Sequence, residues 1–311
     1  MKIVYLDAST LGETPLDEIA ALGELVTYPL STPAEALARV GDCEVLIVNK
    51  VRVTEELLAH APKLRLICES ANGVNNIDLD AAAARGIPVR NCAGYSTEAV
   101  VQSTFAHLLS LAGHLPYFDE CVKCGRYSAG SLFCDISHPY VELAGKTLGI
   151  IGMGTIGTRV AAVATAFGMR VVYYSTSGTS HNTDYPSLPL SQLLVESDAV
   201  SIHAPLNERT AGLIGAGELR LMKPTAYLLN LGRGGIVDEE ALADAIDGGV
   251  IAGAAMDVYS TEPLPADNPL MNIRHLERVR FSPHMAWASQ EALLRLVHQV
   301  ADNIRKFQEE S

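Results

Sequence analysis

Basic residues, aromatic residues and long apolar runs are all scarce in this sequence of 311 residues. Lys and Arg total 23 against 36 Asp and Glu, so the formal net charge is −13, the wrong sign for coating nucleic acid or an anionic membrane surface. No run approaches the roughly 18 apolar residues that a membrane-spanning helix needs, and no signal-peptide pattern is evident. We therefore expect a cytoplasmic protein without nucleic-acid or membrane partners.

Cysteine is also sparse, with six residues in the whole chain. That number is too small for the dense disulfide framework of a small secreted protein, so reduced thiols are expected. Cys121 and Cys124 form a CxxC pair, but no second pair of ligands follows at a similar spacing. The sequence therefore predicts no metal site.

Apolar strand-like runs alternate with helix-like segments along most of the chain. This order is typical of parallel βα units, and the length suits two domains. The fold class predicted is α/β, with two Rossmann-like doubly wound parallel-sheet domains. Residues 1–98 and 287–311 form a predicted flavodoxin-like substrate-binding domain, because the amphipathic C-terminal segment could fold back onto the first domain. Residues 99–286 form the predicted dinucleotide-binding domain.

A glycine-rich turn directly after the apolar strand TLGIIG predicts a dinucleotide site. Gly152, Gly154 and Gly157 have the GxGxxG spacing and open a helical run. The first glycine permits a tight turn, the second lets the backbone approach a pyrophosphate, and the third allows close packing of helix on strand. The helix N-terminus then offers N–H groups to the phosphates. The predicted cofactor contacts of this turn are Gly152, Gly154, Thr155, Ile156 and Gly157.

The next strand does not decide between NAD and NADP. Many NAD-binding domains carry an acid about 20 residues beyond the glycine turn, where it accepts hydrogen bonds from the ribose. Here the strand RVVYYS leads into a run rich in hydroxyl groups, which begins with Ser175 and Thr176 and ends with Ser180. These hydroxyl groups could bind a 2′-phosphate, but the run contains no Arg to anchor it. Both cofactors therefore stay open.

Three later strands are each followed by a polar residue, namely Arg233, Glu262 and His284. The carboxyl ends of parallel strands rim the ligand crevice, so we expect these side chains to converge. Reduction of a 2-oxo acid puts a hydride on carbon and a proton on oxygen, and histidine can supply that proton near neutral pH. A neighbouring carboxylate would stabilise the imidazolium, and arginine can hold a substrate carboxylate through two hydrogen bonds.

The glycine turn and these three segments, in this order, resemble the D-isomer-specific 2-hydroxyacid dehydrogenase family over nearly the whole chain. The resemblance implies that Arg233 binds the substrate carboxylate and polarises its carbonyl, that His284 is the acid and base, and that Glu262 pairs with His284. It also implies that Asp257 binds the nicotinamide carboxamide and that the protein is a homodimer. Further cofactor contacts implied by the resemblance are His203, Ala204, Pro205, Thr210, Gln102 and Thr104.

The loop after the fourth strand is similar to the segment of that family that binds the substrate carboxylate. Backbone N–H groups of Asn72, Gly73 and Val74 would bind this carboxylate. Lys50 ends an earlier strand and is a weaker candidate at the same rim.

Two details look most like the glycerate dehydrogenase, or hydroxypyruvate reductase, branch of the family. They are the double Asn at residues 75 and 76 and the segment from Ser282 to Ser289, which contains the only tryptophan of the chain. That residue, Trp287, could wall the substrate pocket or could pack at an interdomain hinge.

These observations predict an NAD(P)-dependent oxidoreductase acting on CH–OH donors, with its active site in the cleft between the two domains. Its expected substrates are a small 2-oxo acid, with hydroxypyruvate or glyoxylate favoured, and the corresponding D-2-hydroxy acid. One alternative is a phosphoglycerate dehydrogenase-like enzyme, although no basic cluster for the substrate phosphate is evident. Another is a dinucleotide-sensing regulator, similar to the corepressor branch of the family.

Overall fold

The computed structural model describes residues 1–179 and 182–310, and the chain forms two compact units. Unit 1 comprises Met1–Ser96 and Ala288–Ser311, and unit 2 comprises Thr97–Trp287. Each unit is built on a parallel sheet with helices on both faces, which confirms the predicted fold class of two parallel-sheet α/β domains. Among the helices of the described residues, none combines the length and apolar character that crossing a membrane requires.

Unit 1 contains a parallel sheet of short strands. In chain order its strands are β1 (Lys2–Tyr5), β2 (Glu24–Thr27), β3 (Val45–Val48), β4 (Leu66–Glu69) and β5 (Val89–Arg90). Their order across the sheet is β2-β1-β3-β4-β5. Every residue of β3 and β4 is buried, as expected for parallel strands covered on both faces.

Short helices connect these strands. They are α1 (Asp17–Ala20), α2 (Pro33–Arg39), α3 (Glu55–Ala59) and α4 (Leu79–Ala84), with a 3-10 helix at Ala8–Leu11. The start of α2 shows how the local sequence fixes a boundary. The Thr32 hydroxyl accepts a hydrogen bond from the Glu35 N–H at 3.3 Å, and the Glu35 carboxylate accepts one from the Thr32 N–H at 2.8 Å.

The C-terminal helix, Gln290–Glu310, packs within unit 1. Its apolar residues recur at helical spacing, and Leu296, Val300 and Ile304 are buried. The Asn303 carbonyl accepts a hydrogen bond from the Arg90 guanidinium at 2.9 Å, which ties the helix to the end of β5.

Unit 2 contains a larger parallel sheet. In chain order its strands are β6 (Thr147–Ile151), β7 (Arg170–Tyr174), β8 (Ala199–Ile202), β9 (Tyr227–Asn230), β10 (Gly253–Met256) and β11 (Val279–Phe281). Their order across the sheet is β11-β10-β9-β8-β6-β7, and an isolated parallel bridge from Tyr173 to Ser187 extends the β7 edge. The chain adds β7 on one side of β6 and β8 on the other, so the order of strand addition reverses between β6 and β8. Parallel α/β sheets bind ligands at such a switch point.

Helices cover both faces of this sheet. The helices of unit 2 are α5 (Thr97–Ala112), α6 (Leu115–Lys123), α7 (Arg126–Ala129), α8 (Thr155–Ala166), α9 (Leu190–Glu196), α10 (Ala216–Leu221) and α11 (Glu239–Asp247), with 3-10 helices at Pro269–Asn272 and Leu276–Arg278. Neighbouring residues along a strand enter separate apolar cores. Ile150 and Leu229 lie in one core, whereas Ile151 and Leu228 lie in the other. This alternation is what a doubly wound sheet requires.

Candidate active site

The glycine turn after β6 meets distinct steric demands at its three glycines. Gly152 has a φ of +94°, and a Cβ there would lie 2.8 Å from the His203 carbonyl oxygen. A Cβ at Gly157 would lie 2.1 Å from the Gly152 carbonyl oxygen, so only glycine permits this close approach of helix and strand. At Gly154, by contrast, a Cβ would meet no atom of the described residues within 4 Å. The fold itself requires the first and third glycines, and the second leaves its backbone open to a ligand.

Helix α8 begins at this open backbone. Gly154 is its N-cap residue and supplies no side-chain cap, and its first turn contains no acidic side chain. The first N–H groups of α8, from Thr155, Ile156 and Gly157, therefore face no protein carboxylate in that turn. A helix N-terminus in this state carries a partial positive charge and attracts phosphate.

A cavity of about 720 Å³ adjoins the glycine turn. Its walls come from the turn itself, from the end of β7 and from the loop after β8. Ser180, the last hydroxyl of the predicted run, lies outside the described residues. Of the predicted cofactor contacts, the cavity is lined by Gly152, Gly154, Ser175, Thr176, His203 and Pro205.

His203 lines this cavity and has a buried ring nitrogen without a hydrogen-bond partner in the described part of the chain. Its Nε2 lies 2.8 Å from the Ser201 hydroxyl, whereas its buried Nδ1 has no hydrogen-bond partner within residues 1–179 and 182–310. Burial lowers the pKa of His203 to about 4, so the ring is neutral at physiological pH. A neutral ring with a free nitrogen, an open glycine turn and an uncapped helix N-terminus together fit a bound dinucleotide.

Ala204 and Thr210 shape the loop after β8 from within. Both are buried, and the Thr210 hydroxyl donates to the Pro205 carbonyl at 2.7 Å while accepting from the Asn207 N–H at 2.8 Å. These two residues therefore stabilise the loop that forms one wall of the cavity.

His284 and Glu262 form a close pair at the ends of neighbouring strands. The Nδ1 atom of His284 lies 2.7 Å from Oε2 of Glu262, and the two side chains are 25% and 34% exposed. The other carboxylate oxygen, Oε1, accepts a hydrogen bond from the Tyr259 N–H at 3.0 Å. Because the carboxylate is fixed on one side and engages Nδ1 on the other, Nε2 is the imidazole atom left for a substrate.

The backbone of His284 is held in an unusual conformation. Its φ is +50°, in the left-handed region that costs most non-glycine residues about 1 kcal/mol or more. The His284 N–H donates to the Asp257 carbonyl at 2.8 Å, and the indole N–H of Trp287 donates to the His284 carbonyl at 2.8 Å. Trp287 therefore anchors the loop that carries the histidine, and its predicted contact with substrate stays a prediction.

Asp257 is used by the protein itself. Its side chain is almost fully buried and accepts hydrogen bonds from the Ser282 hydroxyl at 2.6 Å, the Met285 N–H at 2.9 Å and the Ala286 N–H at 3.0 Å. These contacts hold the segment on both sides of His284. Sequence reasoning missed this task, because an acid at a strand end has the same signature whether it binds a ligand or a loop.

A second histidine supports the same network. Nε2 of His107, on α5, lies 3.0 Å from the Ser282 hydroxyl, and burial lowers the pKa of this imidazole. The sequence offered no signal for it beyond a single histidine within an apolar helix.

Arg233 lies in the loop after β9, and hydrogen bonds within this loop fix its conformation. Its guanidinium donates to the Gly232 carbonyl at 2.8 Å, and the buried Asn230 amide donates to the Arg233 carbonyl at 3.0 Å. A Cβ at Gly234 would lie 1.8 Å from the Tyr259 carbonyl oxygen, so this loop touches the loop that follows β10. Since β9, β10 and β11 are neighbours in the sheet, Arg233, Glu262 and His284 all leave the same edge.

The predicted contacts on α5 differ from each other. Gln102 is exposed. Thr104 is buried, and its hydroxyl donates to the Val100 carbonyl within the helix at 2.7 Å. Its hydroxyl is thus satisfied without a ligand.

The predicted substrate loop follows β4 in unit 1. No backbone N–H of Asn72, Gly73 or Val74 donates a hydrogen bond to any part of the chain that the structure describes. These three donors are therefore available to an anion. Lys50 is exposed at the end of the adjacent strand β3, where its N–H donates to the Asp7 carboxylate at 2.6 Å.

Comparison with known proteins decides the family. The profile described as "D-isomer specific 2-hydroxyacid dehydrogenase, NAD binding domain" matches residues 105–286. The chain belongs to this family.

Relatives of this dehydrogenase match along nearly its whole length. It is 34% identical to a hydroxypyruvate reductase from Blautia hydrogenotrophica, over 99% of this chain and 97% of the relative. It is 35% identical to a glycerate dehydrogenase from Methylorubrum extorquens, over 98% and 96% of the two chains. A crystal structure of an NADPH-dependent glyoxylate/hydroxypyruvate reductase from Sinorhizobium meliloti, in complex with NADP and malonate, is 27% identical, with a TM-score of 0.84 over 99% and 93% of the chains.

These matches confirm the predicted family, its glycerate dehydrogenase and hydroxypyruvate reductase branch, and an oxidoreductase of CH–OH donors. They also confirm NAD or NADP as the cofactor. The individual contacts of this dehydrogenase with cofactor and substrate stay predictions, which the geometry of the site makes specific.

Proposed function

We propose that this dehydrogenase interconverts hydroxypyruvate or glyoxylate with the corresponding D-2-hydroxy acid, and that His284 transfers the proton. The observation that carries the proposal is the pairing of His284 with Glu262 at 2.7 Å, on the same sheet edge as Arg233. The names of the relatives, hydroxypyruvate reductase, glyoxylate reductase and glycerate dehydrogenase, support the choice of substrate.

The side chains divide the reaction between them. When bound, the reduced nicotinamide supplies the hydride that adds to the carbonyl carbon of the 2-oxo acid. Nε2 of protonated His284 gives its proton to the carbonyl oxygen, so that the alkoxide never forms as a free anion. Glu262 stabilises the imidazolium before the transfer, and the reverse transfer to neutral His284 serves oxidation of the hydroxy acid.

Binding of the substrate carboxylate requires local donors, because the net charge of −13 gives an unfavourable field for anionic ligands. We propose that Arg233 holds the carboxylate through the guanidinium. We also propose that the free N–H groups of Asn72, Gly73 and Val74 add neutral donors.

The experiment that tests the proposal measures reduction of hydroxypyruvate, glyoxylate, pyruvate and 3-phosphohydroxypyruvate with NADH and with NADPH. We expect the highest kcat/KM for hydroxypyruvate or glyoxylate. A higher value for 3-phosphohydroxypyruvate would favour the phosphoglycerate dehydrogenase alternative. Dinucleotide binding without turnover of any 2-oxo acid would favour a regulator.

We also propose that the enzyme is a homodimer that associates through unit 2. An apolar segment after α7 is exposed, with Leu132, Phe133 and Ile136 at 67%, 90% and 73% exposure. Single exposed apolar side chains are common on surfaces, but three of them close together in one segment offer a candidate surface for a second copy of the chain. Light scattering at micromolar concentration should give the mass of two chains, and Phe133→Asp should shift it toward one. A monomeric wild type would contradict the proposal.

All six cysteines are free thiols, which supports the proposal that the enzyme works in the reducing cytoplasm. Cell fractionation with antibody detection tests this location. Recovery of the protein in an oxidising compartment would contradict it.

A further inference from the structure

The turn after β7 is lined by hydroxyl groups that converge on one point. The hydroxyls of Ser175 and Ser177 each donate to the Thr179 carbonyl at 2.8 Å, and the Ser177 and Thr179 hydroxyls lie 3.2 Å apart. Ser175, Ser177 and Thr179 all line the dinucleotide cavity. This is the end of the strand where an adenosine ribose lies in dinucleotide-binding sheets.

A cation reaches this turn from a distant part of the sequence. Arg209 belongs to the loop after β8, and its Nη1 atom donates to the Ser177 carbonyl at 2.8 Å. Gly178, with a φ of +76°, forms the crest of the turn, and a Cβ there would lie 3.8 Å from the same nitrogen. The guanidinium therefore lies against the backbone of the turn that carries the hydroxyl groups.

The remaining donors of Arg209 have no protein acid to satisfy them. Within residues 1–179 and 182–310 it forms no ion pair, its side chain is exposed, and it lines the cavity. Residues 175–179 contain no carboxylate that could accept hydrogen bonds from a ribose 2′-hydroxyl. Glu208 is an acid that also lines the cavity, beside Arg209.

We propose that Arg209, together with the hydroxyls of Ser175, Ser177 and Thr179, binds the 2′-phosphate of NADP, so that the enzyme prefers NADP to NAD. The proposal rests on the dinucleotide site in this cavity, and it is independent of which 2-oxo acid is reduced. The guanidinium supplies a planar pair of donors to the phosphate oxygens, and the hydroxyl groups exchange their internal hydrogen bonds for bonds to the phosphate.

The test uses nucleotide fragments and calorimetry, without any 2-oxo acid. Adenosine 2′,5′-bisphosphate carries the 2′-phosphate, and 5′-AMP lacks it. We expect the wild type to bind the bisphosphate at least about tenfold more tightly than 5′-AMP, as a charge-assisted contact implies. Arg209→Gln should abolish this preference while leaving 5′-AMP affinity within about twofold, and Arg209→Lys should restore part of it.

Two further variants sharpen the result. Arg220→Gln removes an exposed arginine of α10 outside the cavity lining and should leave both affinities unchanged. Glu208→Gln removes the neighbouring acid and should strengthen bisphosphate binding through weaker repulsion.

A wild type that binds 5′-AMP as tightly as the bisphosphate would overturn the proposal, as would an Arg209→Gln variant that keeps the preference. Absence of binding for both fragments, and for NADH and NADPH, would overturn the dinucleotide site itself. Failure of the substrate assignment leaves these affinities untouched, so the two proposals fail separately.

Discussion

Both units have polar side chains at the carboxyl ends of parallel strands, yet the two sets are engaged differently. In unit 1 the buried Asp7 carboxylate accepts hydrogen bonds from the backbone N–H groups of Asn49, Lys50 and Val51 at 2.6–3.1 Å. In unit 2 the pair of Glu262 and His284 stays partly exposed. A polar residue at a strand end therefore indicates chemistry only where its side chain stays accessible to solvent and ligands.

Glu69, at the end of β4, shows the contrast most strongly. Its side chain is 0% exposed, Oε2 accepts from the Asn76 amide at 2.9 Å, and Oε1 has no partner among the described residues. Burial, with a smaller contribution from the nearby Asp7, raises the pKa of Glu69 to about 8. The carboxyl group is thus mostly neutral at pH 7. The acid of unit 2, Glu262, instead lies beside the His284 imidazole.

Apart from substitution of His284, Arg233→Ala should have the largest effect on turnover among the variants that compare the two units. Loss of the guanidinium removes the charged anchor of the substrate, and we expect kcat/KM for the 2-oxo acid to fall by about 10³-fold. Dinucleotide affinity, measured by fluorescence titration, should change less than about threefold. A loss in kcat/KM smaller than fivefold would place substrate recognition elsewhere.

Asp257→Asn should have an intermediate effect on turnover. The amide replaces an acceptor oxygen by an NH₂ group that faces the N–H of Met285 or Ala286, so the loop holding His284 loses its support. We expect kcat to fall about 10- to 100-fold and the free energy of unfolding to fall by about 2 kcal/mol. Ser282→Ala removes the hydroxyl contacts with Asp257 and His107 but keeps the two backbone hydrogen bonds to Asp257, so it is the milder control. Unchanged kcat in Asp257→Asn would contradict the positioning function.

Glu69→Gln should have the smallest effect on turnover, less than twofold at pH 7, because the neutral amide resembles the neutral acid. Its effect lies in stability. The folded pKa of about 8 exceeds the ordinary value of 4.5, so the native state holds a proton that the unfolded chain releases. The unfolding free energy of the wild type should fall as the pH rises from about 5 to 8, by up to about 5 kcal/mol.

Urea unfolding followed by circular dichroism at pH 5, 6, 7 and 8 tests this expectation. The Glu69→Gln variant should lose most of the decline, since it has no carboxyl group to titrate. If the unfolding free energy fell equally with pH in both proteins, the folded structure would not raise the pKa of Glu69, which would contradict the expectation.

Much of the site could be predicted because its signals are local. The three glycines of the turn, the strand that precedes them and the polar residues after β9, β10 and β11 lie within short stretches of sequence. Parallel topology then places the three strand ends on one edge, which is why the sequence alone was enough to group Arg233, Glu262 and His284.

The contacts that sequence reasoning missed are those between distant segments. Arg209 reaches Ser177 from a loop 32 residues away, and no pattern in either segment indicates the other. The hydrogen bonds of Asp257 and Trp287 to the backbone around His284 also had no sequence signal. The predicted nicotinamide contact of Asp257 and the two alternatives for Trp287, a pocket wall or packing at a hinge, stay predictions.

The measurement that tests the central claim most directly compares two histidine variants of unit 2. His284 pairs with Glu262 at 2.7 Å, and His275 pairs with Glu277 at 3.1 Å on the surface, so His275→Gln is a chemically matched control. We predict that His284→Gln lowers kcat for hydroxypyruvate or glyoxylate by about 10²- to 10⁴-fold with dinucleotide affinity preserved, while His275→Gln changes kcat less than twofold. Retention of more than about a tenth of the wild-type kcat in His284→Gln, well above the range for a lost acid–base group, would contradict proton transfer by His284.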